Sequence, residues 1–490
     1  MTESSIPRKS WLALTVLLSG AFMALLDTTI VNVAIPTIRS DLAASEATLS
    51  WIISGYALAF GLMLIPAGRV GDRFGHKWIF ITGLTIFTAS SLACGLSQSS
   101  NQLIAARVLQ GLGGGIFYTA ITALIQLMFA PQVRGRAFAV QGAVIGLATA
   151  LGPLVGGLII QFAGDENGWR WIFGVNLPLG VVAIVAAFRL LPGGANSDKL
   201  AADPIGLILL ASGLIALLVP LILGEDEGWP AWTFLSLAGS GLLLTLFGFW
   251  EVRLTRHGGV PLVPPRLFRS ASFSGGTLLA MVYFAAFTSV FFTLSLLWQA
   301  GLNNSALQSG LLVMPFAVGS IFGAAESDKL ATRYGRAALN TGLGFVLGGM
   351  SVVLAILMWV QPLDLSRWYF LPPLFIAGGG SGMFIAPNAR FIVAMVPRAD
   401  AGAASGVLGT MQRVGSAVGI AIIGSVFFGT LHFSEGPNAV AEAFDHSATR
   451  AMEVSVIFCL AAFLLSFLLP KHPPLGRRGP ARGRGVEPAG

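Results

Sequence analysis

The sequence predicts an all-α polytopic membrane protein, and three observations lead to that fold class. Hydrophobic residues make up 55% of the 490 residues and charged residues only 10%, against roughly 25% charged residues in soluble domains. The mean hydropathy is +0.79. Apolar runs of about 20 residues recur along the whole chain, each long enough to cross a hydrocarbon core of about 30 Å as a helix. Because so few charges cannot cover the surface of a soluble protein, we expect most of the chain to lie in lipid.

Fourteen such runs can be counted. Gly and Pro interrupt several of them and blur their ends by a few residues. The first run follows Arg8 and Lys9, as the apolar core of a signal peptide would, but it is longer than such a core, so we expect an uncleaved helix. The runs lie at 11–35, 46–66, 78–97, 102–124, 137–162, 170–191, 204–223, 231–252, 272–298, 307–329, 338–360, 368–390, 402–430 and 450–470.

The distribution of Lys and Arg assigns a side of the membrane to each loop. Of the 29 basic residues, 23 lie on the same side as the N-terminus. The six exceptions are Arg39, Arg170, Arg367 and Arg450 in the opposite loops, and Arg107 and Arg413 inside spans. Cytoplasmic loops are enriched in Lys and Arg. We therefore expect a multi-pass protein of the bacterial cytoplasmic (inner) membrane with both termini in the cytoplasm.

Several function classes are excluded at this point. The net charge of +7 is scattered between apolar blocks, so it indicates topology and not a nucleic-acid partner. Cys94 and Cys459 both lie in apolar runs, so we expect neither a disulfide framework nor a metal site. No GxxxxGK[ST] motif accompanies the five lysines, which argues against nucleotide binding. Embedded Ser–His pairs are missing as well, so we do not expect an enzyme.

An internal repeat explains the number of spans. The segment 114–152 is echoed at 381–419, where four glycines and one phenylalanine recur at an offset of 267, and RFGHK at 73–77 is echoed by RYGRA at 333–337. These echoes predict two six-helix halves with two helices inserted between them, an arrangement found in secondary transporters. The predicted segments are a cytoplasmic N-terminus at 1–10, a first bundle at 11–191, the inserted helices with linkers at 192–271, a second bundle at 272–470 and a disordered basic tail at 471–490.

Two charged residues fall within apolar spans of the first half. Asp27 lies in LDTTIVNVAIP, about 12 Å from the outer end of the first helix. A carboxylate there costs about 2.5–3.5 kcal/mol, and a low-dielectric surrounding disfavours its charged form, so we expect Asp27 to take up and release a proton. A structural role bonded to the backbone or Asn32 is the alternative. Arg107 is expected to act on that carboxyl group, or else to extend to the headgroups.

Two glycine-containing motifs predict moving parts. GRVGDRFGHK at 68–77 is placed in the loop after the second helix, where Gly68, Asp72, Arg73 and Gly75 are expected to form a conformational gate. An anchor for the positive side of the membrane is the alternative. The second motif, in the fifth helix, has four residues that predict a tightly packed hinge, unless they reflect only the general glycine content of membrane helices. They are Gly152, Pro153, Gly156 and Gly157.

Further embedded polar residues are weaker candidates. Glu326, near the end of the tenth helix, is a second candidate for a proton site, and Arg413 is an embedded charge in the thirteenth. Polar side chains in spans either line a cavity or bond between helices. The uncharged members of this set are Gln126, Gln141, Asn176, Gln299, Asn388 and Gln412.

Together these motifs resemble the major facilitator superfamily, and within it the fourteen-helix drug:proton antiporter branch. The resemblance covers roughly 11–470 and is carried by LDTTIVNVAIP, GRVGDRFGHK, RVLQGLGGG at 107–115 and GPLVGG at 152–157. It implies the major facilitator fold, with Asp27 as the first-helix acidic residue, Arg107 as the coupling arginine and the 68–77 segment as the gating loop. His76 departs from the family pattern, as do Glu326 and Asp328.

The resemblance also implies a function. We expect a proton-coupled antiporter that exports small hydrophobic or amphipathic, often cationic, compounds such as drugs, antibiotics and toxic metabolites by alternating access. A proton-coupled importer or exporter of one metabolite on the same fold is the alternative. The expected partners are a small-molecule substrate and membrane lipids, with protons as the coupling ion and no other cofactor. A periplasmic adaptor is not indicated by the sequence.

Overall fold

A computed structural model describes residues 8–44, 46–130, 133–164, 168–193, 203–224, 227–394, 396–433 and 435–470. The predicted tail 471–490 and residues 1–7 of the predicted N-terminal segment lie outside this part. The regular structure of the described residues is helical. The α-helices are α1 (Arg8–Asp41), α2 (Glu46–Phe74), α3 (His76–Leu96), α4 (Ser100–Met128), α5 (Arg134–Ala163), α6 (Gly168–Gly174), α7 (Asn176–Leu190), α8 (Pro204–Leu223), α9 (Ala231–Arg256), α10 (Ala271–Leu296), α11 (Ala306–Tyr334), α12 (Arg336–Trp359), α13 (Arg367–Val393), α14 (Ala401–Gly429) and α15 (Ala439–Ser466).

The helix order agrees closely with the fourteen predicted runs. Within the described residues, thirteen helices are long and apolar enough to cross a membrane, with α6 and α7 together counted as one. Helix α5, which has 30 residues, occupies the fifth place in the order. The sixth run is divided at Val175 because Pro178 has no N–H to donate to the carbonyl of Gly174.

Two predicted boundaries were wrong. Helix α2 continues to Phe74, so most of GRVGDRFGHK is helical and only Gly75 separates α2 from α3. Helix α15 begins at Ala439, eleven residues before the predicted start at 450. Its first turns are amphipathic, with Phe444 and Ala448 buried in the core of the second half. In both places the helix extends past the apolar run because tertiary contacts stabilise a polar stretch.

The backbone repeats the echo that was found in the sequence. Gly75 between α2 and α3 has φ 95°, and Gly335 between α11 and α12 has φ 57°. Both angles lie in the left-handed region that favours glycine. The two helix pairs therefore turn at corresponding glycines, 260 residues apart in the sequence.

The two halves meet along the helix pairs α2–α14 and α5–α11, with smaller contacts between α4 and α14 and between α5 and α13. We call one end of the bundle the basic end, because it holds Arg69, Arg136, Arg266 and Arg390. The inserted helix α8 packs against α2 and α14, and α9 packs on the far side of α8. The loop between α8 and α9 is tied to α14, since the Trp229 indole N–H donates to Ser425 Oγ at 2.8 Å.

Candidate functional site

A buried ion pair joins α1 and α4 in the first half. The Arg107 guanidinium Nη1 donates to Asp27 Oδ2, and both side chains are almost completely buried. Arg107 Nε also donates to the Ile52 carbonyl of α2 at 3.1 Å. The guanidinium lies over the ring of Tyr56, 4.2 Å from the ring centroid. Arg107 is therefore held inside the bundle and does not extend to the headgroups.

Three neutral side chains complete the surroundings of this pair. Gln110 Nε2 donates to Asp27 Oδ1 at 2.9 Å and to Ser91 Oγ at 2.7 Å. Asn176, at the start of α7, donates to Asp27 Oδ1 at 3.2 Å and to Ser91 Oγ at 3.3 Å. We call Asp27, Ser91, Arg107, Gln110 and Asn176 the polar cluster. Four helices of the first half therefore converge on one carboxylate.

The ion pair balances the charge of Arg107 inside the bundle. Arg107 stays protonated at any accessible pH, and Asp27 is the acidic side chain of the polar cluster. Without the charge of this carboxylate, Arg107 would be buried with a net charge, which is costly in a low-dielectric surrounding. The ion pair therefore ties α1 to α4.

A small cavity of about 30 Å³ lies between the two halves. Drug-sized ligands occupy pockets of roughly 300–1,000 Å³, so binding such a molecule here requires the halves to separate. The lining is aromatic and polar. It consists of Tyr118, Thr122, Phe138, Gln141, Gly142, Ile145, Ala280, Phe284, Phe384, Ile385, Ala386, Asn388, Ala389, Ser405, Leu408, Gly409 and Gln412.

At the basic end, Asp72 of α2 binds the first turn of α14. Its Oδ1 accepts from the Gly402 N–H at 2.8 Å and its Oδ2 from the Ala403 N–H at 3.1 Å. We call Asp72, Gly402 and Ala403 the latch. A carboxylate at a helix N-terminus satisfies unpaired N–H groups and interacts favourably with the helix dipole. Gly68 allows this approach, because a Cβ there would overlap the Gly402 carbonyl oxygen.

Charged groups around the latch extend it across the basic end. Arg69 Nη1 lies 3.5 Å from Asp72 Oδ2 and 3.7 Å from Asp400 Oδ1. Arg266 Nη2 donates to Asp400 Oδ2 at 2.7 Å. His76 is buried and its Nε2 donates to Asp72 Oδ1 at 3.1 Å. His76, the residue that departs from the family pattern, therefore contacts the latch through Asp72.

A second carboxylate lies against the first turn of α5, but in a looser contact. Arg390 of α13 donates to Asp328 Oδ1 of α11 at 3.0 Å, and the two side chains are 20% and 14% exposed. A Cβ at Gly135 of α5 would overlap the Asp328 carboxyl group. Arg136 adds positive charge nearby. The two halves are thus in contact at two places at the basic end. One contact joins α2 to α14, and the other joins α5 to α11.

The family model described as the Major Facilitator Superfamily matches residues 17–420. The chain belongs to the major facilitator superfamily. Its sequence is 37% identical over 444 residues to the "Probable actinorhodin transporter" of Streptomyces coelicolor, covering 90% of this chain and 76% of that protein. It is 32% identical over 425 residues to the "Tetracenomycin C resistance and export protein" of Streptomyces glaucescens, covering 86% and 76% of the two chains.

The fold of this superfamily member also has solved counterparts. The human organic anion transporter MFSD10 superposes with a TM-score of 0.65 and covers 93% of this chain and 99% of its own. The two sequences are 16% identical, so the likeness shows the fold alone. The chain is therefore a multi-pass membrane transporter of the superfamily, and the two relatives named above are bacterial.

Several residues predicted as major facilitator motifs are brought together in the structure. Asp27 and Arg107 form one ion pair. Gly152 and Gly156 pack α5 against α1, because a Cβ at either position would crowd Thr29 or Ile30. The hinge itself stays a prediction, since α5 is one continuous helix here. The Pro153 side chain lies outside the described residues, and Gly157 makes only ordinary contact with Leu307 of α11.

Other predicted residues lie apart from these sites. The Arg73 guanidinium lies over the ring of Phe74, and it is Arg69 that approaches Asp72. Glu326 is 58% exposed and pairs with Lys329 at 3.0 Å, so it faces away from the cavity. Lys329 lies one turn after Glu326 and can extend to the interface.

Some residues of the site were missed in the sequence. Gln110 follows Arg107 by three residues and so lies on the same helix face, which was a usable signal. Ser91 gave none, because serine is common in membrane helices. Arg69 was counted only as a positive charge of the cytoplasmic side, although its spacing of three from Asp72 predicts proximity if α2 continues.

Proposed function

We propose that this protein is a proton-coupled antiporter that exports small hydrophobic or amphipathic compounds across the bacterial cytoplasmic membrane. The observation that carries the proposal is the buried Asp27–Arg107 ion pair with its amide donors. An intramembrane carboxylate that is this completely surrounded is expected to have a function, because burying it is costly. The names of the two bacterial relatives, a transporter and a resistance and export protein, support export.

The proposed cycle uses the polar cluster and the latch in turn. With the basic end facing the cytoplasm and closed, Asp27 takes up a proton from the outside. Neutralising the carboxylate removes the attraction that holds α1 to α4 and favours the opening of the latch. Once the basic end is open, a cytoplasmic substrate enters between the halves and Asp27 releases its proton, which restores the pair with Arg107.

The proton gradient is sufficient for this work. One proton that moves down about 100 mV gains roughly 2.3 kcal/mol, and one pH unit adds about 1.4 kcal/mol. Together these sustain a gradient of several hundredfold for a neutral substrate. A single titrating carboxylate is therefore enough for efflux of a toxic compound, and no nucleotide is required.

The test is transport by purified protein in liposomes with an imposed pH gradient. A panel of ethidium, N-phenyl-1-naphthylamine and 8-anilino-1-naphthalenesulfonate covers cationic, neutral and anionic probes. We expect accumulation of at least one probe against its gradient and loss of that accumulation when an uncoupler is added. Transport that continues unchanged after the uncoupler is added would contradict the proposal.

Asp27→Asn is the decisive variant, and Glu453→Gln is its control, since Glu453 forms a surface pair with Arg450. We expect Asp27→Asn to lower proton-driven transport at least about tenfold, because an amide cannot release a proton, while Glu453→Gln stays near the wild type. Asp27→Glu should recover part of the activity and thereby exclude misfolding as the cause. Wild-type proton exchange in Asp27→Asn would remove Asp27 from the mechanism.

A further inference from the structure

Arg413 is a charged side chain near the middle of α14 that the mechanism above does not use. It lies twelve residues from the first residue of the helix Ala401–Gly429, which places it roughly 18 Å along the helix axis. Its guanidinium lies over the ring of Phe60 of α2, 4.1 Å from the centroid. Arg413 therefore lies at the interface between the two halves, at a depth where a charge is costly.

The guanidinium of Arg413 has no carboxylate partner among the described residues. The ion pairs and side-chain hydrogen bonds of that part of the chain do not involve it. Phe60 and Tyr56, whose ring centroids are 5.8 Å apart, lie between Arg413 and the polar cluster. In the polar cluster, Asp27 is already paired with Arg107. Arg413 thus differs from Arg107, because no carboxylate in the described part of the chain balances its charge.

The cavity between the halves lies beside Arg413, which is itself not one of the lining residues. Tyr118 lines the cavity and packs on the same Phe60 ring, with centroids 5.5 Å apart. Gln412, the neighbour of Arg413 in the sequence, also lines it. Within the described lining there is no Asp or Glu, whereas hydroxyl and amide donors are present together with the rings of Phe138, Phe284 and Phe384. A cationic substrate would find no opposite charge there.

From this arrangement we infer that Arg413 binds an anionic group of the transported compound, such as a carboxylate or phenolate on an aromatic scaffold. The inference rests on the proposed function and names its substrate class. A planar guanidinium forms two parallel hydrogen bonds with a carboxylate, and the aromatic lining suits a ring system. The sequence led to an expectation of hydrophobic, often cationic compounds, and this inference points to anionic ones.

The negative charge of such a substrate also makes its export from the cell electrically favourable. Moving an anion out of an inside-negative cell and a proton in displaces two elementary charges in the same electrical direction. Export of a monoanion in exchange for one proton is therefore driven by the membrane potential on both legs. In liposomes that accumulate the probe, the lumen corresponds to the outside of the cell, so the rate for an anionic probe should rise with an imposed inside-positive potential at constant pH gradient.

The experiment measures equilibrium binding of two matched dyes to the purified protein in lipid nanodiscs, with protein-free nanodiscs subtracted. 8-Anilino-1-naphthalenesulfonate is anionic, and N-phenyl-1-naphthylamine is the same scaffold without the sulfonate. We expect Arg413→Gln to weaken binding of the anionic dye at least about tenfold, as loss of a charged hydrogen-bond partner does, and that of the neutral dye less than about threefold. Arg413→Lys should recover part of the anionic affinity, and Arg450→Gln should behave as the wild type.

Three results would overturn the inference. Equal losses for both dyes in Arg413→Gln would show a structural role, or a role as an alternative partner of Asp27. No loss for the anionic dye would show that Arg413 does not bind the charge. A wild-type protein that binds the anionic dye no better than empty nanodiscs do would also contradict it. Because binding requires no gradient, a failure of proton coupling in liposomes leaves this result unchanged, and the proposed function and this inference fail separately.

Discussion

The two halves share one architecture but differ at corresponding positions in their interiors. Arg107 and Gln110 of α4 correspond, at the offset of 267, to Leu374 and Ala377 of α13, which are both fully buried. Further along α13, the second half has aromatic packing around Tyr283. That ring lies 4.5 Å from the Phe384 ring, and its hydroxyl donates to Ser381 Oγ at 2.6 Å.

This difference teaches how a duplicated fold can divide its tasks. At these two positions, a helix that holds an ion pair in one half provides an apolar surface in the other, without a change in the order of elements. The proposed proton site therefore lies in one half, and most residues that line the cavity belong to the other. The three predictions below test this asymmetry, from the largest expected effect to the smallest.

The first prediction gives the first half the residue that the second half has. Arg107→Leu leaves Asp27 buried without its cation, so we expect the free energy of unfolding in mixed micelles to fall by about 3–5 kcal/mol. The double variant Asp27→Leu/Arg107→Leu should recover most of that stability, because apolar residues can replace a buried pair at little cost. Neither variant should couple transport to protons. A double variant that is no more stable than Arg107→Leu would show that the pair is not what stabilises this region.

The second prediction compares the two contacts at the basic end. Asp72→Ala removes an acceptor of two backbone N–H groups, so we expect the equilibrium between closed and open basic ends to shift by about 2–3 kcal/mol towards open. Asp328→Ala should shift it by less than about 1 kcal/mol, because that pair is partly exposed.

Energy transfer between labels at Phe74→Cys and Ala399→Cys measures this shift. The native Cys94 and Cys459 are buried and unpaired, so the labels react at the introduced positions. Equal shifts in the Asp72 and Asp328 variants would mean that the two contacts stabilise the closed basic end equally. That result would contradict the expectation that the more deeply buried contact contributes more.

The third prediction concerns two glycines that the repeat relates. A Cβ at Gly402 would overlap the backbone of Gly68, whereas a Cβ at Gly135 would meet the end of the Asp328 side chain, which can rotate away. We expect Gly402→Ala to lower the free energy of unfolding by about 1–2 kcal/mol and Gly135→Ala to lower it by less than about 1 kcal/mol. Thermal unfolding measures both. A larger loss for Gly135→Ala would indicate that Asp328 is held more rigidly than its exposure suggests.

Much of the fold could be predicted from the sequence, because hydropathy and the positions of Gly and Pro act locally. The apolar runs gave the helix order, and the 73–77 and 333–337 echoes gave the corresponding turns. The extension of α2 to Phe74 could not be predicted, since Asp72 is stabilised by N–H groups of α14, more than 300 residues away in the sequence. The division of α6 from α7 had a local cause at Pro178 but was not recognised.

The candidate site was predictable only in part. Asp27 and Arg107 stood out because charges are rare in apolar spans. Their contact depends on helix rotation, which one sequence does not determine. The exposure of Glu326 and the position of Arg413 over Phe60 likewise depend on which helix face meets a neighbour. A charged residue inside an apolar span is therefore recognisable from the sequence as a candidate, but helix packing determines what it contacts.

The polar cluster has a consequence for the biogenesis of the protein. All its members belong to α1, α3, α4 and α7, so they are synthesised before α8. A nascent chain that has inserted α7 can already neutralise Asp27 with Arg107 inside the membrane, while the second half is still on the ribosome. Arg413 enters much later with α14, when the buried carboxylate of the first half already has its partner.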